Sequence, residues 1–171
     1  MYKRNIFENI SPLDHRYSLP REDFQEYAQY LSEKARIGYQ ARVEGALVKV
    51  LARRGICSQE AAREILGAIE EITPEEVYEE ERKTRHDIRA LVNCIQRKVS
   101  PAARPYVHFT TTSFDIVDTA NSLRFKEASE KLLLPRLYEL EKLLMEIALR
   151  EKDTLQIVRT YRQHAVPITF G

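Results

Sequence analysis

The helical pattern that runs from about Phe114 to about Lys152 places the strongest constraint on the fold. At about 1.5 Å per residue, such a helix extends for about 57 Å. A compact domain of this size has a radius of gyration of only about 15 to 16 Å. We therefore expect the helix to project from the rest of the chain, with Pro135 marking a kink or a boundary between two helices.

Apolar residues along this predicted helix recur at alternating four- and three-residue steps, which predicts a seam for partner helices. The seam residues are Leu133, Leu137, Leu140, Leu144 and Ile147. The partner helices would come from a further part of the chain, from other subunits, or from both. The alternative is a bent helical hairpin that folds back on the domain.

Most of the remaining chain also has helical periodicity. An amphipathic stripe predicts one helix over 23–54, with Gly55 as its C-cap. Ser58 is predicted to cap the next helix, and a capping box at Thr73 begins the one after it. A further helix is predicted over 87–98. Because no run alternates well enough to predict a strand, the expected fold class is all-α.

Composition excludes several classes of function. Twenty-seven basic and 26 acidic residues give a net charge of +1, which argues against a nucleic-acid binder. We expect no membrane association and no secretory signal, because no apolar run is long enough for either. Phosphate-binding glycine motifs and metal-ligand spacings are absent from the sequence, so no cofactor and no metal is expected. Two isolated cysteines, Cys57 and Cys94, favour a cytoplasmic location.

All four histidines lie in predicted loops or at predicted helix ends, beside other polar side chains. Asp14–Tyr17 combine a guanidinium with a phenol, which suits a phosphate or a carboxylate, or else they form an ordered tail. Thr84–Asp87 open a helix whose amide groups and dipole favour an anion. In this second cluster, Asp87 either caps the helix or holds a histidine ring nitrogen, and the alternative is a purely structural cap.

Two further polar clusters follow. His108 precedes Thr112 and Ser113, which predicts a second anion site at a helix N-terminus or a simple hydroxyl cap. Arg159–Pro167 reads as a dense polar loop that leads into a helix starting at Pro167. Histidine is the side chain best suited to proton transfer near neutral pH, so these clusters are candidates for catalysis.

Taken in order, the four clusters resemble the adenylosuccinate lyase branch of the fumarase/aspartase superfamily. The matching segments are Ser11–Ser18, Thr84–Ile88, Val107–Ala120 and Arg159–Gly171. The resemblance implies an N-terminal helical domain over 1–111 and the start of a central helical-bundle domain over 112–171. It also implies a homotetramer whose active sites are shared between subunits, in a chain that forms the N-terminal portion of the enzyme.

The chemistry implied by the resemblance is a β-elimination that releases fumarate from a succinyl-nucleotide, adenylosuccinate or the related imidazole-carboxamide. The candidate catalytic residues are Tyr161, His86 and His164. The implied substrate-binding residues are Arg16, Tyr17, Arg85, His86 and Asp87 at the nucleotide end, Thr112 and Ser113 at the succinyl carboxylates, and His108 and Gln163 in the lining.

This sequence differs from the family pattern at two places. Tyr161 and Arg162 replace the acid histidine and the glycine after it, and Thr110 and Thr111 replace a glycine and a leucine. The family's base, a serine on a downstream loop, has no counterpart here, so this chain alone is expected to lack a complete site. The alternatives are another superfamily lyase, a carboxymuconate-type cycloisomerase, or a catalytically inactive helical oligomerisation module.

Overall fold

The structure is a computed structural model that describes residues 5–11 and 22–170, apart from the side chains of 22–24. Its contacts divide the chain into two compact units, one ending at Ala128 and one beginning at Ser129. The domain boundary predicted after residue 111 remains a prediction.

The first unit is built from helices. They are α1 (Glu22–Leu31), α2 (Glu33–Arg53), α3 (Gln59–Glu70), α4 (Pro74–Thr84), α5 (Asp87–Arg97) and α6 (Ser113–Ala128), with single 3₁₀ turns at Ile6–Glu8 and Arg104–Tyr106. The single helix predicted over 23–54 is wrong. Ser32 adopts an extended backbone, and its hydroxyl accepts a 3.1 Å hydrogen bond from the N–H of Ala35. A serine that caps a new helix therefore interrupts a run of good helix formers.

Three of the predicted helix ends are confirmed. Gly55 has a φ of 70°, and the N–H of Ile56 donates to the carbonyl of Leu51 at 2.9 Å, which closes the C-terminus of α2. Ser58 caps α3, and Thr73 begins α4 with a complete capping box. These ends follow local rules, so the sequence alone specifies them.

The core of the first unit lies around α2. This helix packs against α3 and α6, and α4 packs against α5. Gly45 allows the close approach of α3, because a Cβ there would lie 3.2 Å from a Leu66 methyl group. Burial of each large aliphatic side chain stabilises the fold by about 1.5 to 3 kcal/mol. The most deeply buried are Ile37, Val48, Ile65, Ile88, Leu91, Val92, Ile95 and Ile116.

The second unit begins with a π-helical segment, Ser129–Leu133, followed by α7 (Leu134–Glu151). The predicted boundary at Pro135 is confirmed, because this segment separates α6 from α7. Pro135 has no N–H, and its ring would clash with the carbonyl four residues earlier, so a wider turn relieves the conflict. Leu133, Leu137 and Leu140 are exposed in this unit, as a seam without a partner requires.

The chain then forms an antiparallel hairpin of β1 (Leu155–Thr160) and β2 (Gln163–Thr169). The hairpin shows that two predictions are wrong. One is the absence of strands, and the other is the helix start at Pro167, because Pro167 pairs with Ile157 in the hairpin. A run of β-branched residues favours the extended backbone. The two-residue turn has positive φ at both positions, a geometry usually marked by Asn or Gly and filled here by Tyr161 and Arg162.

Helices nevertheless dominate the described chain, and the predicted all-α class is confirmed. Within residues 5–11 and 22–170, no helix is both long enough and apolar enough to cross a membrane.

Candidate functional site

The link between α4 and α5 carries the second polar cluster. Arg85 ends α4 with a left-handed backbone (φ 52°), and its N–H donates to the Glu81 carbonyl at 2.7 Å. His86 then adopts an extended backbone and becomes the N-cap of α5. The Thr84 hydroxyl donates to the His86 carbonyl at 3.1 Å and so braces the turn. The backbone conformation of this turn thus fixes the position from which the His86 side chain extends.

His86 uses both ring nitrogens. Nδ1 accepts a 3.3 Å hydrogen bond from the N–H of Arg89, which is the N-capping interaction of α5. In the neutral ring the hydrogen therefore resides on Nε2. That nitrogen lies 3.3 Å from Oγ of Ser113, the first residue of α6. The ring therefore donates to the serine and leaves the serine hydrogen available for another acceptor.

Two helix N-termini meet at this contact. Ser113 begins α6, and the N–H of Thr112 is satisfied by Asp115 at 2.8 Å. His86 precedes α5, whose first residue is Asp87. Unpaired amide groups and aligned peptide dipoles make each helix N-terminus favourable for an anion. The described side chains thus bring His86 of the second polar cluster into contact with Ser113 of the third.

Asp87 is held from outside its own helix. One carboxylate oxygen accepts from the N–H of Ile88 at 2.7 Å, and the other lies 3.2 Å from a guanidinium nitrogen of Arg36. Arg36 also binds Glu33 in its own helix, at 2.7 Å from Nε. This chain of ion pairs ties the start of α5 to α2.

His108 lies in the loop before α6, with a positive φ of 60°. Its Nδ1 is 2.6 Å from Oε1 of Glu44, and its N–H donates to Oε2 at 3.1 Å. Thr111 Oγ1 lies 3.1 Å from the same Nδ1 and donates to the His108 carbonyl at 3.3 Å. The loop is therefore anchored to α2 through one histidine.

Sequence reasoning missed Glu44. Its side chain is 1% exposed and lies on the buried face of α2, between Ala41 and Val48. Burial raises the pKa of Glu44, and the opposing influence of His108 does not cancel this effect. An acid at an apolar stripe position is the signal that could have found it, because buried carboxylates need partners.

The remaining predicted residues fall in the second unit or outside the described residues. Tyr161 is in the hairpin turn and is 95% exposed, while Gln163 and His164 are exposed in β2. Arg16 and Tyr17 lie outside the described residues. The roles assigned to all these residues remain predictions.

Comparison with known proteins identifies the family. A family model described as "Lyase" matches residues 16–171. The adenylosuccinate lyases of Archaeoglobus fulgidus and Methanocaldococcus jannaschii are 38% and 36% identical to the chain, over 95% of its length. The matches cover 34% of each relative, so the chain spans about a third of the length of these curated relatives.

Solved structures agree with this assignment. A fumarate lyase from Mesorhizobium sp. BNC1 is 29% identical, with a TM-score of 0.73 over 85% of this chain and 34% of that one. The 3-carboxy-cis,cis-muconate lactonizing enzyme of Pseudomonas putida is 26% identical, with a TM-score of 0.78 over 92% and 36%. The chain therefore belongs to the lyase family, within the fumarase/aspartase superfamily.

Proposed function

We propose that the protein cleaves a carbon–nitrogen bond by β-elimination, releasing fumarate from adenylosuccinate and from the related succinyl-imidazole-carboxamide nucleotide of purine biosynthesis. The observation that carries the proposal is the contact between His86 and Ser113, where two helix N-termini meet. The names of the two curated relatives described above point to the same reaction.

The reaction needs groups that stabilise negative charge. A base removes the proton next to one carboxylate, the carbon–carbon double bond forms, and the carbon–nitrogen bond breaks as an acid protonates the nitrogen. Negative charge accumulates on the carboxylate before the bond breaks, and preorganised donors lower that barrier. Ser113 and Thr112, at the start of α6, are the proposed donors to the succinyl carboxylates.

The nucleotide end of the substrate would bind the basic and polar groups around α5. Arg85 is exposed just before this helix, and Asp87 is fixed by Arg36. We assign Arg16 and Tyr17 to the same end of the substrate. His108 and Gln163 would line the site.

Proton transfer to the leaving nitrogen is assigned to Tyr161, with His164 and His86 as the other candidates. A tyrosine hydroxyl carries a transferable proton at neutral pH, although phenols are weaker acids than imidazolium. The hairpin turn exposes the Tyr161 side chain, which suits a residue that completes a site formed with other subunits.

A homotetramer with shared active sites is part of the proposal. The exposed leucines of α7 support it, because a seam of this kind is stable only when partner helices cover it. We also propose a cytoplasmic location, in keeping with the buried free thiols of Cys57 and Cys94.

A second candidate is a cycloisomerase of the carboxymuconate type, or another lyase of the superfamily. The likeness to the Pseudomonas putida lactonizing enzyme and the tyrosine at position 161 favour it. A helical oligomerisation module without activity is the third possibility.

One assay separates these candidates. Adenylosuccinate is supplied to the full-length protein, fumarate release is followed, and the assay is repeated with Tyr161→His. Activity in the parent supports the proposed lyase, and activity only after the substitution indicates an enzyme that has lost its acid. If neither the parent nor Tyr161→His is active although the protein is correctly assembled, the proposed substrate is ruled out. Turnover of a carboxymuconate then distinguishes the cycloisomerase from the inactive module.

A further inference from the structure

Glu44 is an ionisable group in an unfavourable place. It lies on the inward face of α2, level with Ala41 and Val48, and its side chain is 1% exposed. Taking a carboxylate out of water costs several kcal/mol unless hydrogen bonds replace the lost hydration. An alanine or leucine would fill this helix position at no such cost, so the acid calls for a specific explanation.

Both oxygens of Glu44 bind the same residue. Oε1 lies 2.6 Å from the ring Nδ1 of His108, and Oε2 accepts the backbone N–H of His108 at 3.1 Å. These two bonds fix the ring and the main chain of one histidine together. The sequence separation is 64 residues, so the contact ties α2 to the loop before α6.

The contact with Glu44 indicates where the ring hydrogen lies, because an ionised carboxylate oxygen 2.6 Å from Nδ1 can only accept a hydrogen bond. A hydrogen on Nδ1 satisfies Glu44, whereas a bare Nδ1 would face its lone pairs. The Thr111 hydroxyl, 3.1 Å from Nδ1, is compatible with this arrangement because it can donate to the His108 carbonyl at 3.3 Å. The geometry therefore favours the Nδ1–H tautomer and leaves Nε2 as the nitrogen turned away from α2.

The backbone of His108 also needs support. Its φ of 60° is in the left-handed region, which is costly for residues other than glycine. The hydrogen bond from its N–H to Glu44 offsets part of that cost. The same carboxylate thus holds the strained loop and orients the ring that the loop carries.

We infer that Glu44 is a positioning residue that fixes His108 in the Nδ1–H tautomer, so that Nε2 of His108 faces the substrate carboxylate or leaving group. The tautomer stands independently, whereas the role toward substrate rests on the proposed function. Glu44 itself does not touch the substrate, because its side chain is buried behind the histidine.

The variant Glu44→Gln isolates this role. Glutamine has nearly the same volume, but only one of its two terminal atoms accepts hydrogen bonds. Its amide nitrogen must therefore face either Nδ1–H or the backbone N–H of His108, both of which are donors. Glu64→Gln is the matched control, because Glu64 also binds both the N–H and the hydroxyl of one loop residue, Ser100.

The direct test is ¹⁵N NMR of the 171-residue chain labelled at histidine, recorded over a pH series until the ring of His108 is neutral. His108→Gln assigns the signal. We expect a pyrrole-type Nδ1 and a pyridine-type Nε2 in the parent and in Glu64→Gln, and a mixture of tautomers in Glu44→Gln. An Nε2–H tautomer in the parent would overturn the inference, and this readout remains available even if Glu44→Gln does not fold.

The role toward substrate is tested in the full-length protein. We expect Glu44→Gln to raise KM for adenylosuccinate about tenfold and Glu64→Gln to leave KM unchanged. An active parent whose KM is unaffected by Glu44→Gln contradicts the positioning role. An inactive parent with the expected tautomer contradicts the proposed function instead, so the two failures are distinguishable.

Discussion

The hydroxyl oxygen of Ser113 lies 3.3 Å from Nε2 of His86, across the junction of two helix N-termini. Nε2 is the nitrogen that meets the serine, because Nδ1 is already occupied as the N-cap of α5. Nδ1 of this ring thus has a structural role, whereas Nε2 is available for a role in the reaction. These two functions can be separated by substitution.

Substitution of His86 should separate capping from activity. Asparagine is among the best N-cap residues, whereas alanine cannot accept the N–H of Arg89. We expect His86→Ala to lower the free energy of unfolding by about 1 kcal/mol and His86→Asn to leave it nearly unchanged. Both variants should lose fumarate release in the full-length protein. Full activity in His86→Asn would show that the ring serves only as a cap.

The ion pairs around Arg36 predict a pH-dependent stability. Burial raises the pKa of Glu33, but hydrogen bonds from Arg36 and Tyr78, with the charges of Arg36 and Arg124, lower it further than burial raises it. Since the folded-state pKa is below its usual value, the stabilisation is complete above about pH 4.3 and is lost as the pH falls through the folded-state pKa.

We therefore expect Glu33→Gln to reduce the free energy of unfolding by about 1 kcal/mol at pH 7, with the difference from the parent closing in acid. Urea unfolding at several pH values measures this. Glu79→Gln, at an exposed position of α4, is the control and should be nearly neutral. A Glu33→Gln deficit that is the same at every pH would contradict the account.

Thr110 predicts a stabilising substitution. Its φ of 65° places a β-branched residue in the left-handed region, a backbone conformation that only glycine adopts without strain. We expect Thr110→Gly to raise the free energy of unfolding by about 1 kcal/mol. Thr110→Ala keeps a Cβ and should give less of this gain. Equal stability of the glycine variant and the parent would mean that the loop stores no strain there.

The exposed leucines of α7 predict self-association. Leu140→Lys places a charge in the seam and should shift the protein to smaller species in analytical ultracentrifugation. Glu141→Gln changes the net charge by the same amount outside the seam and should leave the assembly unchanged. A parent that sediments as a monomer at all concentrations would contradict this prediction.

Features governed by neighbouring residues were predictable from the sequence. The cap at Thr73 and the turn at Gly55 depend on side chains or backbone freedom within a few residues. The start of α5 was predicted in the same way, but its cap is His86 and not Asp87. The break at Ser32 obeys a capping rule too, but the helix formers on both sides concealed it.

Features that depend on distant contacts were not predictable. Glu44 finds its partner 64 residues later, and nothing in the local pattern of α2 names His108. The hairpin was missed because Tyr161 and Arg162 occupy turn positions where asparagine or glycine would have given the signal. The meeting of His86 with Ser113 likewise depends on how α5 and α6 pack.

The most direct test of the central claim is kcat/KM for fumarate release from adenylosuccinate by the full-length protein, comparing the parent with Ser113→Ala. Ser122→Ala, at an exposed position of the same helix, is the control. Loss of one donor to the developing negative charge predicts a decrease of about a hundredfold or more for Ser113→Ala, and no change for the control. Equal kcat/KM in all three proteins would contradict the claim that the site at His86 and Ser113 binds the succinyl group.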